Sequence, residues 1–318
     1  MPAPDDRGSS HRPCRVCGHE RARVVLTGTD HREGVGGVFS VVVCDGCGLA
    51  RVDPWPDEPL AWYPQGYQQH TAQTVTGRVV ETVIRRTATA ALSAPIRRLV
   101  TALVPDADNG GALSRGATLL DVGAGNGTAV RALRAAGVDA HGLEPERRAV
   151  EAAHAAGTRT VLVGTLDDNP LAGRRWDVVR MYQTLEHMPD PLDALRRARA
   201  LLSPAGRLVV GVPNFGSFGR RLFRASWDGL ELPRHLYHFT GRSLTAVLER
   251  AGFAVTGLHT VALFGLLPAS VDAATAGGER QRGWGRSLPL RAAAYPVELL
   301  AALAGGGDGL VVVARARD

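Results

Sequence analysis

Residues 117–128 read Ala117-Thr118-Leu119-Leu120-Asp121-Val122-Gly123-Ala124-Gly125-Asn126-Gly127-Thr128. A short apolar run ends in a carboxylate and leads into three glycines at alternate positions. Such a run, bounded by glycine, suits a buried strand. Glycines at 123, 125 and 127 let the backbone turn sharply and approach a ligand closely. A helical stretch follows through Ala136 and is stopped by Gly137. A second apolar run, Val138–Leu143, ends at Glu144. The segment is therefore one βαβ unit with its glycines in the first crossover. Free N–H groups at the start of its helix suit a negative or polar ligand end. Glu144, at the tip of the second strand, can accept both hydroxyls of a ribose. Together these residues point to a nucleoside-bearing cofactor.

The dinucleotide fingerprint is G-x-G-x-x-G. Here the third glycine comes one residue early and position 128 is Thr, which counts against a nicotinamide dehydrogenase. The acid at Asp121 would repel a pyrophosphate and suits a cationic ligand. Outward from the loop the strand–helix alternation continues. Thr160–Val163 is a third strand, followed by Gly164-Thr165-Leu166-Asp167-Asp168. Trp176–Tyr182 is a fourth, running into Gln183-Thr184-Leu185-Glu186-His187-Met188-Pro189-Asp190-Pro191. Leu202-Ser203-Pro204-Ala205-Gly206 turns into a fifth, Arg207–Val210. Phe253–Val261 is a sixth, and Asp308–Ala316 is the final one.

This order of motifs resembles the class I S-adenosylmethionine-dependent methyltransferases, over roughly residues 113–261 and again at 308–316. The D-x-G-x-G-x-G loop resembles motif I of that family, and Glu144 its acidic second-strand tip. Residues 185–191 resemble its "LEH-x-x-DP" phrase and residues 202–206 its "L-x-P-G-G" turn. Pro233-Arg234-His235-Leu236-Tyr237-His238-Phe239-Thr240 is similar to a phrase of the type 23 methyltransferase branch. The resemblance implies an α/β fold: a Rossmann-like seven-stranded sheet with helices on both faces and its last strand antiparallel. It implies S-adenosyl-L-methionine bound by Asp121, Gly123, Gly125, Asn126, Gly127, Glu144, Thr165, Leu166 and Gln183. It implies direct displacement of the methyl group onto a small-molecule acceptor such as a sugar or secondary metabolite.

His187, His235 and His238 fall where an acceptor pocket is expected, and each could act as general base. Some related quinone-type O-methyltransferases place a divalent metal on Glu-x-x-Glu-His. Here the first position is Gln183, a weaker ligand for a hard cation, so no second metal is expected.

The four cysteines form Cys14-x-x-Cys17 and Cys44-x-x-Cys47, with 26 residues between the pairs. Zinc takes four thiolates in a tetrahedron, and each pair makes a knuckle relieved by the glycine after it, Gly18 or Gly48. Strand-like runs Arg23–Leu26 and Val38–Val43 complete a zinc ribbon, and an N-terminal zinc site is also a feature of the branch named above. Disulfides are disfavoured because no apolar leader is visible, so a reducing, cytoplasmic compartment is expected. A redox pair would need only one knuckle.

Three units are expected: a zinc ribbon over 1–53, an aromatic loop and helical connector over 54–112, and the catalytic unit over 113–318. Trp55 and the run Trp62–Tyr67 concentrate aromatics in the connector, and Pro95 should split its helical pattern. Insertions near 213–242 and 262–306 are expected to cap the acceptor site, with Phe215–Trp227 and Leu288–Leu303 as the capping pieces. Arg220, Arg221 and Arg224 alternate with Phe218, Leu222 and Phe223, a pattern that also suits peripheral membrane contact.

The formal charge of +6 and a pI of about 9.7 invite a nucleic-acid reading, with the ribbon as reader. All 37 basic residues are arginine, scattered with no run of five, which is a codon-bias signature. Phe39 is the ribbon's only aromatic, and four thiolates with one dication would lower the charge to about +4. Nucleic acid therefore stays the alternative. The longest uncharged stretch, Ala251–Val271, holds three glycines and Pro268 and does not read as a membrane span.

Overall fold

The computed structural model describes residues 12–55, 75–88, 90, 92–104, 107–276 and 283–317. The aromatic run Trp62–Tyr67 lies outside them. The chain first makes three short strands, β1 (Ala22–Gly28), β2 (Phe39–Cys44) and β3 (Ala50–Asp53). Helices α1 (Val75–Thr87) and α2 (Ala94–Leu103) follow. Pro95 sits in the first turn of α2, where its missing N–H costs no hydrogen bond, so the connector breaks just before it.

The alternating part begins with β4 (Thr118–Val122), α3 (Thr128–Ala135), β5 (Asp139–Glu144), α4 (Arg147–Ala155) and β6 (Val161–Val163). It continues with β7 (Trp176–Tyr182), α5 (Pro191–Ala200) and β8 (Leu202–Pro213). Then come α6 (Phe218–Phe223), β9 (Tyr237–His238), α7 (Gly241–Arg250) and β10 (Phe253–Val261). Helices α8 (Leu266–Thr275) and α9 (Leu288–Leu303) and strand β11 (Gly309–Ala316) end the chain.

Seven strands form one sheet in the order β10-β11-β8-β7-β4-β5-β6. Strand β11 runs antiparallel to both neighbours, and the other pairings are parallel. The central strands are apolar on both sides because helices cover both faces. Leu119 and Leu120, adjacent in β4, are each fully buried. One face packs α5 and α7 through Leu195, Ala198, Leu244 and Leu248. The other packs α1 and α3 through Ile84, Val130 and Leu133. Local signals agree with these helices. Asp190 accepts the Asp193 N–H at 2.9 Å before Pro191 in α5. Thr240 and Ser243 form a capping box at α7.

Strand order reverses between β4 and β7, so the C-terminal ends of these two strands border the crevice where open α/β sheets bind ligands. Helix α1 closes over α3 through Arg131, whose Nε and Nη2 donate to Glu81 at 3.2 and 3.1 Å. Among the described residues, α6, α8 and α9 lie in the two insertions. Helix α6 packs on α8, and α8 on α9. Glu298 of α9 accepts the Gly265 and Leu267 N–H groups at the start of α8, at 3.0 and 2.7 Å. Arg220 turns inward and stacks on Phe215 at 4.1 Å, so it is not presented with Arg221 and Arg224. No helix among the described residues is long and apolar enough to cross a membrane.

A second sheet, β1-β2-β3-β9, contains the ribbon strands and one strand from the chain beyond β8. Ala50 pairs with His238 and Arg51 with Tyr237. Cys14, Phe39, Val41, Leu49 and Val52 share one continuous apolar cluster with Leu195, Leu236 and Leu244. The ribbon, too short to bury a core alone, uses that of the larger sheet.

Candidate functional site

The glycine loop folds as its sequence dictates. Gly123, Gly125 and Gly127 take φ values of 76°, 52° and 71°, left-handed conformations that favour glycine. At Gly123 the close approach is to the protein itself. A Cβ there would lie 2.7 Å from Cγ2 of Thr184, whose hydroxyl donates to the carbonyls of Val122 and Tyr182 at 3.1 and 2.9 Å. This contact ties the ends of β4 and β7 together. Asn126 caps the loop, its Oδ1 accepting from the Thr128 N–H at 3.3 Å and hydroxyl at 2.7 Å.

Glu144 is buried. Its Oε2 accepts the Gly125 N–H at 2.8 Å and its Oε1 the Glu146 N–H at 3.0 Å. The carboxylate thus organises the glycine loop, and each oxygen keeps a further lone pair. Asp121 faces Arg180 across β4 and β7, with Nε 3.6 Å from Oδ1 and both residues buried. The acid at the strand end is therefore not a lone negative charge. The signal was in the sequence: an arginine inside the apolar run Trp176–Tyr182.

Thr165 and Leu166 lie in the turn after β6, where the Thr165 hydroxyl accepts the N–H groups of Asp167 and Asp168 at 3.1 and 3.0 Å. Leu166 is half-buried against the main core. Gln183 has φ 50° and donates its N–H to Gly211 O at 2.8 Å, so the chain kinks at the end of β7.

The three histidines come together. His187 and His235 rings meet edge to face with centroids 4.7 Å apart, and His238 lies 6.4 Å beyond His235. Nδ1 of His187 is 3.1 Å from Arg234 O, and Nδ1 of His235 is 3.0 Å from Gly229 O. A carbonyl only accepts, so each Nδ1 carries a proton, and in the neutral ring each Nε2 keeps its lone pair. Burial drives His235 well below the ordinary imidazole range, and the charged forms of His187 and His238 would lower it further. Burial, with Arg220 nearby, pushes His238 down to about 3. Both are neutral imidazoles at neutral pH, and His238 is a weak base. His187 is the half-buried member of the three.

Beside them, Glu186 is fully buried and neither carboxyl oxygen has a hydrogen-bond partner of good geometry. Burial pushes its carboxyl up to about 8, against the backbone N–H groups of Glu186 and Thr184, which work to lower it. One ligand atom each from Glu186, His187 and His235 lies within 4.8 Å of the others. The sequence expectation of no second metal rested on Gln183 in the Glu-x-x-Glu-His pattern. The third donor near this pair comes instead from His235, 48 residues away along the chain.

The four cysteine sulfurs also lie within 4.8 Å of one another, with Cys14 to Cys47 at 3.6 Å and Cys17 to Cys44 at 3.5 Å. Disulfide sulfurs are about 2.05 Å apart. Four thiolates on zinc at about 2.3 Å sit roughly 3.8 Å apart, close to the spacing found. The two knuckles repeat one another. Gly18 and Gly48 donate to Cys14 O and Cys44 O at 2.8 and 2.9 Å, with φ 73° and 72°. The cluster fits a closed, structural zinc site.

A family model described as a methyltransferase domain matches residues 86–258. A ubiquinone biosynthesis O-methyltransferase of Cereibacter sphaeroides is 32% identical over 149 residues, 43% of this chain and 60% of that protein. An uncharacterised 37.1 kDa protein in a transposon of Streptomyces fradiae is 32% identical over 160 residues, 44% of each. The chain thus spans about half the length of these curated relatives. Among solved structures, a chain of the complex between the Haloferax volcanii Trm112 methyltransferase activator and a methyltransferase superposes with a TM-score of 0.50. It is 22% identical and covers 83% of this chain and 100% of that one. That likeness establishes the fold, a class I methyltransferase sheet.

Proposed function

Because the chain belongs to the methyltransferase domain family matched over residues 86–258, we propose that it moves a methyl group from S-adenosyl-L-methionine to a small-molecule acceptor. The observation that carries the reading is the reversal of strand order at β4 and β7. The glycine loop organised by Glu144 follows β4, His187 follows β7, and His235 packs on His187. Bound S-adenosylmethionine supplies a methyl carbon already activated by its sulfonium. Glu144 has lone pairs left for ribose hydroxyls. Gly125, Gly127 and Asn126 lie in the turn, Thr165 and Leu166 follow β6, and Asp121 and Gln183 lie at the C-terminal ends of β4 and β7. The Asp121–Arg180 pair is close to neutral as a unit, so cofactor preference rests on Glu144 and the loop.

The protein's part is to hold and align. Orientation of the two reactants is worth about 7–11 kcal/mol in favourable cases. If the acceptor is a hydroxyl, its proton goes to a histidine Nε2. His187 fills that role best, because it is reachable and its Nδ1–H is fixed on Arg234 O. His235 packs against it, and His238 shapes the wall. The O-methyltransferase relatives favour a hydroxyl-bearing acceptor such as a sugar or secondary metabolite. Incubating the protein with methyl-labelled cofactor and fractionated metabolites of the source organism tests this. Label in a small molecule supports it, whereas label only in RNA or DNA overturns it. Against the nucleic-acid alternative stands Phe39, buried at 5% exposure and unavailable for stacking on bases.

A second reading is favoured by one observation, the fully buried Glu186 carboxyl beside His187 and His235. These three could hold a divalent cation that binds the acceptor oxygen, with each Nδ1–H held by a carbonyl as metal-bound histidines require. A Co2+ titration of zinc-loaded protein that shows a second site, lost in Glu186→Gln, would favour it. The four cysteines are assigned to structural zinc.

A further inference from the structure

The connection between β1 and β2 carries Asp30, a buried carboxylate. Its Oδ1 accepts the N–H groups of Arg32 and Glu33, and its Oδ2 that of Val35, all at 3.0 Å. The same two oxygens take the guanidinium of Arg234 in a two-pronged pair, Nη1 to Oδ2 at 2.8 Å and Nη2 to Oδ1 at 3.0 Å. Arg234 is 1% exposed, and its Nε donates to Glu231 at 3.2 Å. Such a fork fixes direction as well as distance. Asp30 belongs to the ribbon, 204 residues from Arg234 along the chain.

What Arg234 holds is the histidine cluster. Its carbonyl receives the Nδ1–H of His187 at 3.1 Å, and the next residue is His235. Leu236 is held from both sides, its carbonyl accepting the Val52 N–H of the ribbon at 3.0 Å and its N–H donating to Glu186 O at 2.8 Å. His238 pairs with Ala50 of β3. Arg32 adds ion pairs to Glu231 and to Asp228, the latter at 3.0 Å. Glu231 sits at φ 41°, a left-handed conformation that side chains rarely take without support. Residues 231–238 are thus strung between the ribbon and the segment after β7.

We propose that Asp30 of the ribbon is a positioning residue for the histidine cluster, acting through Arg234 to aim the Nε2 atoms of His187 and His235. The ribbon is then one wall of the acceptor site. A fault in the four-cysteine cluster reaches the histidines along β3 and through Asp30. The proposal rests on the assignment of the histidines to the acceptor site, but its first test needs neither acceptor nor turnover.

The test uses full-length, zinc-loaded protein labelled with 15N-histidine. Long-range proton–nitrogen spectra report which ring nitrogen bears the proton, and His187→Asn and His235→Asn assign the signals. In the wild type both rings are expected as the Nδ1–H tautomer. In Asp30→Asn the His187 tautomer ratio should move roughly five- to tenfold toward Nε2–H, the worth of about one hydrogen bond. Asp30→Glu should restore it in part. Arg32→Gln, at the half-exposed rim of the network, should move it in the same direction by less. It serves as the reading if Asp30→Asn does not fold. Arg23→Gln, which breaks only the exposed Arg23–Asp45 pair of the ribbon, should leave the histidine signals in place.

Lowered melting temperature in Asp30→Asn and Arg32→Gln with unmoved histidine signals would overturn the proposal, because a purely structural strut predicts that pattern. Binding of S-adenosylhomocysteine is read separately. Its failure in the wild type would sink the methyl-transfer reading and leave the tautomer result standing. Once an acceptor is identified, Asp30→Asn should lower kcat at least about tenfold with little change in KM for the cofactor, the signature of lost alignment.

Discussion

Glu144→Gln tests the loop and the cofactor reading with one substitution. In the structure the carboxylate takes two backbone N–H groups, from Gly125 at 2.8 Å and Glu146 at 3.0 Å, and is 5% exposed. Glutamine keeps one oxygen. Its amide nitrogen would face a backbone N–H, donor against donor, so one buried N–H loses its partner. Leaving such a donor unsatisfied costs about 1–3 kcal/mol. At roughly 2–4 °C per kcal/mol, the melting temperature should fall by about 2–12 °C. The neutral amide also gives up about one charge-assisted hydrogen bond to the ribose, worth about 1.5–3 kcal/mol, or about 10- to 150-fold in affinity. Calorimetric titration with S-adenosylhomocysteine, run well below the lowered melting temperature, measures the second effect, and scanning calorimetry the first. A variant that loses stability but binds the nucleoside as tightly as the wild type would remove Glu144 from the cofactor site. A variant with unchanged melting temperature would refute the two loop hydrogen bonds.

Other expectations follow from the same geometry. Arg180→Met removes the arginine paired with the buried Asp121 carboxylate and should cost about 3–5 kcal/mol in denaturant unfolding, with part of the loss recovered by adding Asp121→Asn. Cys44→Ser, or a strong chelator, should release the zinc proposed for the four-cysteine cluster, one per chain by a metal-binding dye. It should also lower the melting temperature of the whole chain, because the ribbon shares the main core; a fall in ribbon signals alone would contradict this. Burial works to raise the Asp30 carboxyl, but hydrogen bonds and charge from Arg234 and the N–H groups of Glu33 and Val35 hold it below its usual range. A lowered folded value means that its contribution is complete above the unfolded value near 3.8 and is lost as pH falls through the folded value. The acid limb of the stability curve should therefore be shallower in Asp30→Asn than in the wild type.

Much of the large sheet could be read from periodicity. The run Phe253–Val261 is a strand over those residues, and Leu288–Leu303 is a helix over those. Apolar runs bounded by glycine leave few alternatives when both faces are covered. The knuckle spacing brought the four sulfurs together for a similar reason, since a C-x-x-C turn fixes its own geometry. What escaped the sequence was long-range pairing between charged residues. Arg180 against Asp121 needs the register of β4 and β7, and Asp30 against Arg234 needs a fold that returns 204 residues later. Strand β9 has two residues, and its edge-pairing with β3 leaves no periodic trace. Glu186 stands in the run Leu185–His187, and the full burial of its carboxyl depends on the fold packed around it.

The central claim is that the glycine loop and Glu144 hold the nucleoside of S-adenosylmethionine. Isothermal titration of zinc-loaded full-length chain with S-adenosylhomocysteine tests it most directly. Saturable binding of one molecule per chain is expected, weakened by Glu144→Gln and not reproduced by NAD. Absence of saturable binding to the folded wild-type chain, or equal binding of NAD, would contradict it.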